Sequence, residues 1–197
     1  AITGNVGISG GGTGAREGVG GVPFATPTAI PCFPEKNTVG VCVSFFDWYQ
    51  AIEDYTVMND ATWGIRAIDE TGVTSYAEEP GTLKLKAPIK FIWNYAGNCL
   101  TNQHGDINMT HEILVDESKC EFILVWDTVM TDSAKYADIL LPDAMRSEQM
   151  NLQTQGYTEW YSGVVLGTPA QEAPGECRSS YDVMADIADK FGVRDAF

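Results

Sequence analysis

Amide, hydroxyl and carboxylate side chains gather behind two short apolar runs, Pro88–Asn94 and Glu121–Trp126. After the first run, Gly97-Asn98 and then Asn102-Gln103 offer an unhindered backbone N–H and several uncharged amides. Such groups suit a sugar, a nucleobase edge or a diphosphate. After the second run, the carboxylate of Asp127 is suited to accept two N–H donors, as from a guanine edge, or to bind two ribose hydroxyls. Thr128, Thr131 and Ser133 add small hydroxyls for phosphate binding or helix capping. All of these residue types also serve in plain turns and N-caps, so spacing alone leaves both roles open.

The other chemistry-bearing residues are sparser. A glycine loop, Gly10-Gly11-Gly12 with Gly14 behind it, can bring backbone close to a ligand, but it lacks the lysine and the spacing of a phosphate-binding loop. Arg16 and Glu17 follow it and can pair with each other or face a site. Five widely spaced cysteines and two histidines, His104 and His111, give neither a disulfide framework nor the short spacings of a zinc or iron–sulfur cage. Most of the cysteines are expected to pack as small hydrophobes. No nucleophile elbow, triad spacing or paired-carboxylate motif is present.

These groups need elements to hold them. The two apolar runs read as strands, the segment from about Asp106 to Val115 as a helix between them, and Ala137–Pro142 as a third, shorter strand. Strand, loop, helix, strand is a βαβ unit, so the pattern predicts parallel pairing. In an open parallel sheet ligands sit beyond the carboxyl ends of the strands, where the amide and Asp127 clusters lie. Phe45–Tyr55 has helical spacing with Ser44 as its expected N-cap, and Asp132–Tyr136 reads as a short helix. A last helix over Ser179–Phe191 places Tyr181, Met184, Ile187, Ala188 and Phe191 on one face, with Gly192 as its stop. Before these, Thr3–Gly21 reads as loop, Val22–Lys36 with four prolines as an irregular connector, and Asp69–Leu85 as a surface insertion.

Composition limits what such a domain can do. A chain of 197 residues with 44% hydrophobic and 20% charged residues can bury a core. Its formal charge of -15 repels nucleic-acid backbones and anionic lipid surfaces, which bind through clustered Lys and Arg. No apolar run approaches the roughly 20 residues of a membrane-spanning helix. The opening Ala1-Ile2-Thr3-Gly4-Asn5 lacks both an initiator Met and the layout of a secretion signal, so the chain is expected to be a piece of a longer one.

Three stretches carry a family resemblance. Ile89–His111, containing Asn94-Tyr95-Ala96-Gly97-Asn98 and Thr101-Asn102-Gln103, resembles catalytic subunits of dimethyl sulfoxide reductase type in the molybdopterin oxidoreductase family. Thr131-Asp132-Ser133-Ala134-Lys135-Tyr136-Ala137-Asp138-Ile139-Leu140-Leu141-Pro142, with Ser147-Glu148-Gln149-Met150 behind it, is similar to the same subunits, as is the opening glycine loop from Thr3 to Gly18. Asn37–Leu85 and Asn151–Cys177 resemble them least.

The resemblance implies a Rossmann-like three-layer α/β domain with a mostly parallel sheet and an irregular Gly/Pro-rich N-terminal segment. The whole of 1–197 would be one domain holding the guanosine end of molybdopterin guanine dinucleotide. Gly97, Asn98, Gln103 and Asp127 would contact the nucleotide, with Thr131 and Ser133 as weaker contacts. Gly11 and Gly12 would approach the cofactor through backbone, and Arg16 would lie nearer the substrate funnel. Molybdenum or tungsten, its protein ligand, an iron–sulfur cluster and a further pterin-binding domain would come from outside these residues. The parent would reduce S-oxides or N-oxides in anaerobic respiration, joined to an iron–sulfur subunit and a membrane anchor and exported to the cytoplasmic membrane. The excised piece would be inactive. Two other readings compete: a stand-alone guanine-nucleotide-binding module, and an acidic interaction domain docking through Asp69–Leu85.

Overall fold

The computed structural model describes residues 39–44, 46–61, 64–68, 74–75, 79–102, 105–154 and 164–196. The glycine and proline-rich N-terminal stretch, with Gly11, Gly12, Arg16 and Glu17, lies outside them, as do Gln103 and His104. Two compact units emerge, one comprising Glu35–Asp143 and the other containing the described residues from Ala144 onward.

The first unit runs β1 (Val41–Val43), α1 (Trp48–Glu53), β2 (Ile65–Ile68), β3 (Thr74–Ser75), β4 (Phe91–Tyr95), α2 (Cys99–Asn102), α3 (Ile107–Leu114), β5 (Phe122–Asp127) and β6 (Ile139–Pro142), with a 3-10 turn over Ser133–Tyr136. Its sheet β4-β5-β6 is parallel throughout, as the apolar runs predict, with Asn94 beside Val125 and Trp126 beside Leu141. The strands β1-β2-β3 form a separate antiparallel sheet that hydrophobic periodicity does not announce. Its β3, at Thr74–Ser75, lies within the stretch expected to be a surface insertion.

One face of the parallel sheet is packed by helices, and the other leaves the β4 aromatics partly exposed while Trp126 is buried. Ile123 and Val125 join Ile52 of α1, Leu100 of α2, and Ile113 and Leu114 of α3 in one core cluster, with Ile92 against it. On the opposite face, Phe91 stacks on Phe122 at 5.6 Å, and Trp93 on Trp126 at 6.1 Å. There Phe91 stays 51%, Trp93 38% and Tyr95 50% exposed.

The expected Ser44 cap is a correction. The helix starts later, at Trp48 with Asp47 in the N-cap position, because Ser44 Oγ accepts the Phe46 N–H and its carbonyl accepts the Asp47 N–H, making a turn before the helix. Asp106 does cap α3, accepting the Met109 N–H at 3.1 Å.

The second unit holds the antiparallel pair β7 (Asn151–Thr154) and β8 (Val164–Gly167), then α4 (Ser180–Lys190). Ser179 caps α4 through the Asp182 N–H. At the other end Gly192, at φ 72°, donates to Asp189 O while Val193 donates to Ala188 O, a left-handed stop that glycine adopts without a Cβ penalty. The helix's inner face is narrower than its spacing predicts: Ala185 and Ala188 are buried with Met184 and Ile187 beside them, but Tyr181 and Phe191 are exposed at the two ends.

Candidate functional site

The expected ligand-binding residues collect where β4 and β5 end. Beyond Tyr95, the Ala96 N–H continues the parallel ladder to Trp126 O at 2.9 Å, and Ala96 itself adopts φ 52°. A left-handed alanine costs about 1–2 kcal/mol, so neighbouring contacts must hold it. The side chain of Asn94, 6% exposed, does so by donating Nδ2 to Gly97 O at 2.6 Å. A Cβ at Gly97 would stand 2.9 Å from Cys99 Sγ, a contact that rotation of the thiol would have to relieve.

Asn98 and Ser133 meet directly across the two loops. Asn98 Oδ1 accepts the Ser133 N–H at 2.9 Å, the Ser133 hydroxyl at 2.8 Å and the Thr101 hydroxyl at 2.9 Å. Ser133 Oγ in turn accepts the N–H groups of Leu100 at 3.1 Å and Thr101 at 3.2 Å, which start α2. Ser133 is 0% exposed. The Thr131 hydroxyl oxygen accepts the Ala134 N–H at 3.2 Å and so caps the 3-10 turn.

Asp127 stands at the carboxyl end of β5, half-buried, paired in register with Pro142. Its Oδ1 accepts the Thr128 N–H at 2.7 Å, and its carbonyl accepts the Asp143 N–H at 3.0 Å. Among the described residues its Oδ2 accepts no hydrogen bond, which leaves one carboxylate oxygen for a donor pair. Asp132 in the next turn is ion-paired: the Lys135 ammonium, 2.5 Å away, holds its carboxyl below the usual carboxylate range by hydrogen bonding and charge.

The structure thus joins Gly97, Asn98, Thr131 and Ser133 in one pair of loops, with Asp127 at the end of the adjacent strand. Strand neighbours lie about 4.8 Å apart, so the two strand ends share one edge of the sheet. Gln103, Gly11 and Gly12 lie outside the described residues. Sequence reasoning missed Asn94 and Thr101, whose roles depend on the turn geometry, and Asp143, 7% exposed at the end of β6. Thr101 carried a signal, since a threonine three residues after Asn98 is placed to bond back to it.

Each unit has a concavity of its own. One of about 270 Å³ is lined by Trp48, Ile92, Trp93, Asn94 and Cys99 on the free edge of β4. Another, of about 520 Å³, lies within the second unit against Glu148, Gln149, Arg178 and Asp182. Among the described residues no group of three His, Cys, Asp or Glu side chains could hold a metal ion, and no helix is long and apolar enough to cross a membrane.

Comparisons with known proteins bear on the same residues. A dimethyl sulfoxide reductase, DmsA, of Haemophilus influenzae is 42% identical over 196 residues, covering 100% of this chain and 22% of its own. The DmsA protein of Escherichia coli matches equally, 42% over 196 residues, again 100% of this chain and 22% of that protein. Among solved structures, acetylene hydratase from Pelobacter acetylenicus superposes with a TM-score of 0.46 at 20% identity, over 57% of this chain and 15% of that one. The chain therefore spans about a fifth of the length of the curated relatives it matches. The model of the molybdopterin oxidoreductase family matches residues 2–190, almost the whole sequence, and the chain belongs to that family.

Proposed function

We propose that this chain is the part of a dimethyl sulfoxide reductase-type catalytic subunit that binds the guanosine end of molybdopterin guanine dinucleotide. The observation that carries the reading is Asp127: a carboxylate at the end of a parallel strand, pinned through Oδ1 by the Thr128 N–H, with Oδ2 open. Such a group matches the paired donors of a guanine edge or two ribose hydroxyls. Asn98 Nδ2 and the Gly97 backbone are the uncharged groups beside it, and they let an acidic chain meet a diphosphate without placing a carboxylate on it.

The residues fit the nucleotide end and not the metal. Asp127 and Asn98 supply an acceptor and a donor, whereas no metal-holding cluster occurs among the described residues. Molybdenum, or tungsten, and an iron–sulfur cluster belong in this reading to other parts of a longer polypeptide. When bound, the metal centre supplies two-electron chemistry in which an oxygen atom leaves an S-oxide or N-oxide. This chain's residues bind and orient the nucleotide.

Three further elements belong to the same proposal. The fold is a Rossmann-like three-layer domain spanning 1–197, supported by the parallel sheet and by the uncovered aromatic face of β4, since parallel sheets are normally buried on both faces. The partners are the rest of the catalytic subunit, an iron–sulfur electron-transfer subunit and a membrane anchor. The parent works in anaerobic respiration, exported and peripheral to the cytoplasmic membrane.

Asp127→Asn in the full-length subunit tests the assignment. An asparagine can still accept the Thr128 N–H, but it offers an amide donor where guanine also donates. The guanosine monophosphate released from the purified subunit by acid hydrolysis should fall about tenfold or more, as expected for losing a charged hydrogen-bond acceptor. Full nucleotide content in that variant would defeat the reading.

A further inference from the structure

The two loops that carry the proposed nucleotide site are tied by a network in which the Ser133 hydroxyl has no hydrogen-bonding position left. A serine hydroxyl has one donor and two acceptor positions. Ser133 spends the donor on Asn98 Oδ1 and the acceptors on the N–H groups of Leu100 and Thr101. Having no exposed surface and no spare position, it cannot touch a ligand while the loops stay as they are. The orientation of the Asn98 amide is equally settled. The Ser133 backbone N–H can only donate, so the Asn98 atom facing it at 2.9 Å must be the oxygen. That oxygen is saturated by Ser133 N–H, Ser133 O–H and Thr101 O–H, while Nδ2 makes no hydrogen bond among the described residues.

We infer that Asn98, Thr101 and Ser133 form a clasp that sets the spacing between the loops after β4 and β5, making Ser133 a positioning residue and dividing Asn98 into a positioning oxygen and a ligand-facing Nδ2. This rests on the nucleotide site proposed above and assigns its members different tasks. Asp127 and Asn98 Nδ2 meet the nucleotide, and Ser133, Thr101 and Asn98 Oδ1 hold the edge of the sheet in the shape that lets them. The clasp joins positions 35 residues apart in sequence. Because the three groups share the same bonds, breaking it at one point breaks most of it, and a second break adds little.

The test is a double-mutant cycle in the full-length subunit carrying its cofactor, read as the rate at which bound guanine nucleotide is lost on dialysis. Asn98→Ala and Ser133→Ala should each speed that loss about tenfold. The double variant should stay within about threefold of the faster single variant. Independent ligand contacts would instead multiply to about a hundredfold, and that result would overturn the clasp. Asn98→Asp keeps an acceptor for Ser133 and Thr101 but removes the Nδ2 donor, so it should melt like the parent yet lose nucleotide faster. If it melts as early as Asn98→Ala, the positioning oxygen is wrongly assigned. Should Ser133→Ala not fold, Thr101→Val, which removes one hydroxyl at constant volume, closes the same cycle with Asn98→Ala.

Asp127→Asn separates this failure from failure of the site itself. Rapid nucleotide loss in Asp127→Asn, with the parent's rate in the clasp variants, would sink the clasp and leave the site standing. The parent's rate in all of them would sink both.

Discussion

The loops after β4 and β5 and the unit from Ala144 onward hold their polar groups in opposite ways. In the loops after β4 and β5, Ser133 has no exposed surface and every position of its hydroxyl is bonded, and Asn94 reaches the Gly97 carbonyl from the sheet interior. In the unit from Ala144 onward, Arg178 pairs with Asp186 at 2.7 Å and Gln171 with Glu148 at 2.9 Å, both at the surface. A buried polar group left without its partner loses water as well as the bond, whereas an exposed one simply hydrates. The first arrangement can hold loops to a fixed spacing, which a binding site needs. The second tolerates change, and it is where substitutions should cost least.

That contrast is broken most forcefully at its apolar base. Ile113 is fully buried at the centre of the cluster joining α3 to Ile123 and Val125. Ile113→Ala should destabilise the protein by about 2–5 kcal/mol, the range for truncating a buried aliphatic side chain. Urea unfolding measures the loss, and hydrogen exchange should find it in the amides of α3 and β5. A loss below about 1 kcal/mol would mean that this core can collapse around the missing atoms.

Ser133→Ala comes next. It strands the Leu100 and Thr101 N–H groups in a buried setting, so about 1–3 kcal/mol should disappear from the same unfolding transition. Ser179→Ala in the second unit removes a comparable single hydroxyl, the N-cap of α4, but at the surface. It should cost about 1 kcal/mol or less, seen as faster exchange in the first turn of α4. Equal losses at the two serines would erase the distinction between saturated and hydrated polar groups.

The two serines also show what the sequence could reveal. The strands β4, β5 and β6 were legible because each is a short apolar run bounded by turn residues, and a helix between two such runs implies parallel pairing. The strands β1, β2, β7 and β8 were not, since each is three or four residues long and has no strand–helix–strand context to give it away. At the candidate site, residue type disclosed that Asn98, Thr131 and Ser133 would make hydrogen bonds. It did not disclose with whom. Ser133 finds its acceptor 35 residues back, and only the folded sheet brings the two loops together. Ser179 and Asp106 are the complementary case, since each caps its helix through a partner only three residues ahead.

The smallest effect expected is also the one that depends on pH. Hydrogen bonding from the Arg178 guanidinium, reinforced by its charge and more weakly by Arg194 and Lys190, holds the Asp186 carboxyl below its ordinary value of 3.8. A carboxyl depressed by folding releases its proton more readily in the folded chain. Its contribution is therefore fully present above pH 3.8 and fades as pH falls through the lower folded value, because the unfolded chain takes up the proton first. Carbon-13 titration of the side chain should place the Asp186 midpoint below that of an unpaired aspartate, and Arg178→Met should return it to the ordinary range. Both members of the pair are more than half exposed, at 51% and 58%, so at neutral pH the same substitution should barely move the melting temperature, and added salt should remove what difference there is. A large, salt-resistant drop would show that Arg178 is held as firmly as Ser133, and the two units would then differ in where their polar groups lie but not in what those groups contribute.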